Sequence, residues 1–437
     1  MNQNNFKVPG TEIPIVEDVD VVVCGGGPGG LAAAISAARN GAKTLLLEQY
    51  GCLGGMATVG LVGPFMHTAG ANGGIFKELL GRIEVLRGAS GYSFDPEIFK
   101  YVALQMVEEA GVKQLLHTFV EDVIIDKNNG VEGVFVANKA GRQAIKAKIT
   151  IDATGDGDVS AFAGAEFEKG RPEDGKMQAA SLFFHVGGVD VSKACKDISF
   201  LEKATRKARE AGEINLPEYV SFVPLGNQGS TIRKDEVSVN VDTITGIDGT
   251  DPNDLTLAEN ESRKRVLECI RFYHKYVPGY KNCFLINTAP LVGIRETRRV
   301  LGEYVLIKND VLGAHKFDDG IAKASFFLDL HDGIKFSENK TQLEKELAPI
   351  RVPKGDWYEI PYGCLVPRKV DNLLTCGRCI SSDREANGSL RIMPTCMATG
   401  QAAGTSAAMC LKSRTKPREL DGKAVRKKLF EQGVDIG

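Results

Sequence analysis

"DVDVVVCGGGPGGLAAAISAARNGAKTLLLEQYG", residues 18–51, decides how the chain is read. Val19 to Cys24 is a β-branched run, the pattern of a buried parallel strand. Gly25, Gly27 and Gly30 then supply G-x-G-x-x-G, within the unbroken turn Gly25, Gly26, Gly27, Pro28, Gly29, Gly30. Leu31 to Asn40 reads as a helix of small residues stopped by Gly41, and Lys43 to Leu47 as a second strand ending on Glu48. In such a turn the first glycine permits the tight bend and the second lets a pyrophosphate approach the backbone. The third lets helix and strand pack closely. The helix N-terminus offers N–H groups and a partial positive charge to phosphates. Glu48 follows Gly30 by 18 residues, where a carboxylate accepts hydrogen bonds from ribose hydroxyls. No Arg or Lys follows it directly, so no 2'-phosphate is expected. Strand, turn, helix, strand and acid arrive in order and predict an adenine-dinucleotide site.

The rest of the composition sets limits. A chain of 437 residues predicts two or more domains. Its 43% hydrophobic and 25% charged residues are ordinary for a globular enzyme. A net charge of -2 gives no support for a polyanionic partner, so no nucleic acid is expected. The N-terminal stretch is polar and lacks an apolar core, and ten unevenly spaced cysteines fit a reducing compartment; a cytoplasmic location is the expectation. Val19–Ala38 is apolar, but its glycine turn breaks it into strand and helix, so no membrane span is expected.

Three later segments bear on the ligand. "YGCLGGMATVGLVGPFMH" follows the second strand, with Gly54 and Gly55 where backbone can press on a ring system. "AKITIDATGDGDVSAFAGA" is a strand ending in Ala153-Thr154-Gly155-Asp156. "DNLLTCGRCISSDREANGSLRIMPTCMATGQAAGTSAAM" reads as a strand, a long loop and an Ala/Gly-rich helix.

Together these segments, from about Asp18 to Ile436, resemble the FAD-dependent oxidoreductases of the two-dinucleotide-binding-domain superfamily, in a branch related to the fumarate reductase flavoproteins. The resemblance implies an α/β fold: a Rossmann-like FAD-binding domain, with a parallel sheet plus β-meander, and an inserted α+β substrate-capping domain. It implies that Gly25 to Gly30 hold the pyrophosphate, Glu48 and Gln49 the adenosine ribose, and Gly54, Gly55 and Met56 the flavin edge. Val120 would meet the adenine through its backbone. Thr154, Gly155 and Asp156 would form the A-T-G turn. Gly377 and Arg378 would approach the ribityl and phosphate region, while Arg391 and the helix beginning near Thr395 face the flavin pyrimidine. Reduced flavin is negative near N1 and O2, which a helix N-terminus stabilises. "GDGDVS", residues 155–160, comes nearest to a second fingerprint, but Ser160 replaces its third glycine, so no dedicated NAD(P)H domain is expected.

"CGRC", residues 376–379, raises the question of thiol chemistry. The two cysteines straddle the Gly377-Arg378 turn, and Cys376 falls in an expected buried strand, where a free Cys is a small hydrophobe. Thioredoxin-type motifs instead place the first Cys at an exposed helix N-terminus. Cys364 and Cys396 lie nearby, but one C-x-x-C pair with partners in other elements is a poor zinc or cluster pattern, and no metal is expected. Cys52, close to the glycines expected along the flavin, reads as packing or as a redox-active thiol.

Domain limits are expected at 1–165 for the first part of the FAD domain, 166–354 for the substrate domain, 355–414 for the second FAD part and 415–437 for a helical tail. Two clusters stand out in the middle. "LVGIRETRRVLGEYVL" sets Arg295, Glu296, Arg298 and Arg299 at the head of an alternating strand, either to grip a carboxylate or as an ion-pair network. "SFFLDLHDG" ends a strand with Asp329 and His331, a candidate proton donor or acceptor or a structural pair. His67, past the glycines expected along the flavin, is a third candidate. In the polar helix over 255–277, Glu259, Glu261, Arg263 and Lys264 read as a solvated face.

The expected activity is hydride transfer between flavin N5 and a small polar or anionic metabolite. Catalysis would rest on His331 or His67 for the proton and on Arg295 and Arg298 for the anion. The external electron donor or acceptor is left open. A flavoprotein electron-transfer subunit with a thiol or cluster relay, like that of heterodisulfide reductase, and a flavin-dependent RNA-modifying protein are the alternatives.

Overall fold

The computed structural model describes residue 10 and residues 12–194, 198–216, 232–331 and 350–436. The polar stretch over 1–9 and the last two residues of "SFFLDLHDG" lie outside the described residues.

β1 (Ile15–Cys24) passes through the glycine turn into α1 (Pro28–Arg39) and β2 (Thr44–Leu47). Helices Gly74–Val85 and Pro96–Glu109 precede β3 (Lys113–Leu115), which pairs with β2. A meander of β4 (Phe119–Ile125), β5 (Val131–Asn138) and β6 (Gly141–Asp152) follows. The strands lie in the order β3-β2-β1-β6-β5-β4. β6 is the pivot, being parallel to β1 on one side and antiparallel to β5 on the other. The end of β1, Val21–Cys24, and β2 are buried throughout because the parallel part of the sheet is covered on both faces.

A second sheet centres on β7 (Ala180–Gly187), antiparallel to both β8 (Val237–Ile244) and β9 (Phe284–Thr288). Between β8 and β9 runs α2 (Pro252–Tyr276), started by Pro252 and by Asp251, whose carboxylate accepts from the Asn253 N–H. Val266, Cys269, Phe272 and Tyr273 from α2 join Leu182, Phe184 and Val239 in an apolar core of its own.

The chain then returns to the first sheet. β10 (Leu373–Thr375) pairs parallel with the end of β6. It leads to α3 (Arg384–Leu390), α4 (Met393–Ser413) and α5 (Gly422–Glu431). α4 packs parallel to α1 with almost no side chain between them: a Cβ on Gly400 would lie 2.0 Å from the Gly29 carbonyl oxygen, and one on Gly404 2.1 Å from that of Ala33. The Ser36 hydroxyl also donates to the Gln401 carbonyl at 2.9 Å. Both N-termini therefore open at the same end of the sheet.

Three local expectations are corrected. The strand expected over "SFFLDLHDG" is Gly320–Ala324 and stops before it, because Ser325 bonds instead to Thr68 and Ala69. The strand after Arg295 is short, Arg298–Val300, paired with Phe167–Lys169, and leaves Arg295 in the preceding loop. Glu259 and Arg263 are not simply solvated: Glu259 accepts from the Val292 N–H, and Arg263 reaches the carbonyls of Ala289 and Pro290. Among the described residues no helix is long and apolar enough to cross a membrane.

Candidate functional site

The glycine turn is shaped by contact. Gly25 has φ +106°, and a Cβ there would sit 2.5 Å from the Ala153 carbonyl oxygen; one on Gly30 would sit 1.8 Å from that of Gly25. A Cβ on Gly27 would meet nothing within 4 Å, so this is the face a ligand can approach. Glu48 is buried, and its two carboxylate oxygens accept from the Gly26 N–H at 2.8 Å and the Tyr50 N–H at 2.9 Å. Burial raises its pKa, against the pull of those N–H groups. Gln49 beside it is exposed. The Thr118 N–H donates to the Glu48 carbonyl at 3.0 Å, which brings the start of β4 and Val120 to this end. Gly54 donates its N–H to the Gly26 carbonyl, and Gly55 presses on Gly27. Met56 extends toward Gly293, two residues before Arg295.

The A-T-G turn meets the C-terminal turn through charge. Arg378 reaches Asp156 at 2.5 Å and the Thr297 hydroxyl at 3.0 Å, while the Thr297 hydroxyl donates to Asp156 at 2.7 Å. Asn387 donates to the Arg378 carbonyl, fixing the Gly377-Arg378 turn against α3. Arg298 is engaged here as well, on the Asp156 carbonyl at 3.0 Å and Asp158 at 2.7 Å. Asp158 is raised to about 6 by burial and by its neighbours Asp156 and Asp152, despite Arg298.

A second network lies between α4 and the middle of the chain. His331 Nε2 is 3.2 Å from Asp329, and Arg391 donates to the Asp329 carboxylate at 3.0 Å and to its carbonyl at 2.9 Å. Burial pushes the Asp329 carboxyl up, but the His331 hydrogen bond and the charges of Arg391 and Arg295 outweigh it and hold the group at about 2. Arg295 donates to the Ala179 carbonyl at 2.6 Å. Glu296, fully buried, joins Arg299 at 2.5 Å and Arg384 at 3.0 Å and accepts from the Gln178 N–H. Gln178 Oε1 accepts the His331 N–H at 3.2 Å.

The structure thus brings Arg295, Asp329, His331 and Arg391 together, and separately Asp156, Arg298 and Arg378. His67 is exposed and packs against Tyr92 with the rings tilted, 3.9 Å between centroids. Gln178, Thr297, Arg384 and Asn387 carry no local sequence signal; their roles come from residues more than eighty positions away, or from the turn they close.

The thiols are poorly placed for chemistry. Cys376 and Cys379 are buried, and burial first, then the Asp152 charge, pushes both thiols well up. Burial likewise takes Cys396 up to about 12, although Arg378 and Arg391 oppose it. The described cysteines are unbridged, and among the described residues no three His, Cys, Asp or Glu side chains are grouped to hold a metal ion.

A dinucleotide fits this end of the sheet. The Gly27 face is an open cradle walled by close backbone. The N-terminus of α4 has no side-chain cap and no acid in its first turn. Around it, Arg391 Nε, the Thr395 hydroxyl and Asn387 Oδ1 are buried without a partner among the described residues. Orphaned donors and acceptors at an electropositive helix end are what a polar heterocycle would satisfy.

The profile of a family described as FAD dependent oxidoreductase matches residues 20–429. Among curated proteins, the chain is 35% identical over 147 residues to thiamine thiazole synthase of Methanococcus aeolicus, 32% of this chain and 55% of that one. It is 30% identical over 168 residues to digeranylgeranylglycerophospholipid reductase of the same organism, 35% of this chain and 42% of that one. The chain therefore spans about half the length of the curated relatives it matches. A geranylgeranyl bacteriochlorophyll reductase-like structure from Thermoplasma acidophilum is 15% identical, with 96% of this chain and 84% of that one covered and a TM-score of 0.44. With the family profile spanning nearly the whole chain, FAD is the cofactor, and the chain belongs to the FAD-dependent oxidoreductase family.

Proposed function

We propose that the protein is an FAD-dependent oxidoreductase acting on a small polar or anionic metabolite at the junction of α4 and the residue 166–354 insertion. Gly25 to Gly30 would hold the pyrophosphate, Glu48 the ribose, and Gly54 to Met56 with the α4 N-terminus the flavin. The observation that carries the reading is the group of orphaned buried polar atoms around α4, beside the Asp329–His331 pair. When bound, FAD supplies a hydride acceptor or donor at N5.

The protein's own part is orientation and proton handling. Asp329, held at about 2, stays ionised and orients the His331 ring through Nε2. His331 is the group placed to exchange a proton with substrate. Arg295 takes the anion-holding role because its charge lies beside Asp329 in this network. His67 stays a secondary candidate. The narrower likeness to fumarate reductase flavoproteins rests on sequence motifs alone. Buried thiols of raised pKa weigh against the relay alternative.

Anaerobic dithionite titration of the purified protein tests the cofactor half: two electrons per flavin with no charge-transfer band is the expected result. Uptake of four electrons with such a band would move the proposal to a thiol relay. His331→Asn, with FAD retained, is expected to slow substrate-dependent flavin reduction or reoxidation by about 100-fold. An unchanged rate would remove His331 from the mechanism.

A further inference from the structure

Gln178 is 3% exposed, and its side chain is used on one side only. Its Oε1 accepts the His331 backbone N–H at 3.2 Å, which fixes the amide orientation, because a main-chain N–H can only donate. Nε2 is therefore the donor end, and it is buried with no partner among the described residues. The backbone on either side is pinned: the Gln178 N–H goes to Glu296 at 3.2 Å, and the Ala179 carbonyl receives Arg295 at 2.6 Å. A buried amide NH2 held this rigidly costs stability unless an acceptor meets it.

We propose that Gln178 is a specificity-determining residue whose Nε2 donates to a carboxylate or carbonyl oxygen of the substrate, held beside His331 and Arg295. This rests on the anionic-substrate reading above. The chemistry required is an oxygen acceptor, and a flavin carbonyl is the other possible source. The substrate is favoured because Gln178 belongs to the inserted segment and is fastened to His331 and Glu296, outside the nucleotide-binding elements. A substrate with only donors at that position would face NH2 and the Arg295 cation and be rejected.

The test is calorimetry of the FAD-loaded protein with acetate, malonate and succinate, for wild type, Gln178→Glu and Gln178→Met. Glu keeps the acceptor that holds the His331 N–H but replaces the donor with a like charge; Met keeps the volume and removes both. Weakening of carboxylate binding by about tenfold or more in both variants, with FAD affinity and spectrum unchanged, is the expected result. Wild-type affinity in Gln178→Glu would reduce Gln178 to a structural acceptor and overturn the inference. A change in FAD affinity or spectrum without a change in carboxylate binding would assign the donor to the flavin and overturn it too. If none of the three acids binds the flavin-loaded wild type, this inference and the anionic-substrate reading both fall, while the flavoprotein assignment stands.

Discussion

Asp329 shows how one residue ties stability to the site. Its carboxyl is held at about 2, below the ordinary 3.8. A carboxyl lowered by folding stabilises the native state when ionised, so its contribution is complete above about pH 4 and is lost as pH falls toward about 2. The shift corresponds to about 2 kcal/mol. Asp329→Asn is expected to lower stability by up to that amount at about pH 6 and by roughly half as much at about pH 3. Urea midpoints at the two pH values check it, and an equal deficit at both would show that packing, not charge, is what the residue provides. Legibility at this scale was uneven. Glu48 and the glycines were readable because a turn and its acid are fixed by short spacing. Asp329 and His331 were readable as a pair only because they are two positions apart. Gln178 and Arg384 were not, since what defines them is Glu296 and His331, brought to them by tertiary packing. Arg298 was misleading for the same reason: nothing beside it in sequence announces Asp158.

At the scale of elements, the site depends on how closely α1 and α4 approach. Small residues along both helices were visible in sequence, but composition could not say which helix would meet which. Gly400 lies against Gly29, inside the turn proposed to hold the pyrophosphate, so spacing the helices apart would move the α4 N-terminus relative to that turn. Gly400→Ala would put a Cβ 2.0 Å from the Gly29 carbonyl oxygen and is expected to cost about 1–3 kcal/mol and weaken FAD binding. Gly81, inside helix Gly74–Val85, has nothing within 4 Å of the corresponding Cβ. Gly81→Ala is expected to stabilise by about 0.5–1 kcal/mol and leave FAD binding unchanged. Thermal melts with flavin fluorescence distinguish the pair. Equal effects from both would mean that helix propensity, not interhelical contact, governs α4.

The whole molecule is a nucleotide-binding unit interrupted by a second body. β1 and β10 are separated by more than 340 residues yet flank the same strand, β6, so the first unit closes only when the C-terminal elements arrive. The second sheet and α2 keep a separate apolar core. Buried charge lies at their junction: Glu296 holds Arg299 and Arg384 and accepts the Gln178 N–H just before β7. A buried ion pair fixes alignment more than it adds stability. We propose that the two bodies unfold separately, with the boundary near residues 180 and 294, since Val300, Leu306, Ile321 and Leu328 pack in the cores of the first body. Phe272 is 1% exposed in the second core, and Phe272→Ala is expected to lower the transition of that body by about 3–5 kcal/mol. Urea unfolding followed by far-UV circular dichroism and by flavin release should then show an early loss of structure with FAD still bound. Simultaneous loss of both signals in the variant would mean that the Glu296 junction couples the bodies into one cooperative unit. The substrate network would then be set by global folding and not by docking of a cap onto a finished flavin site.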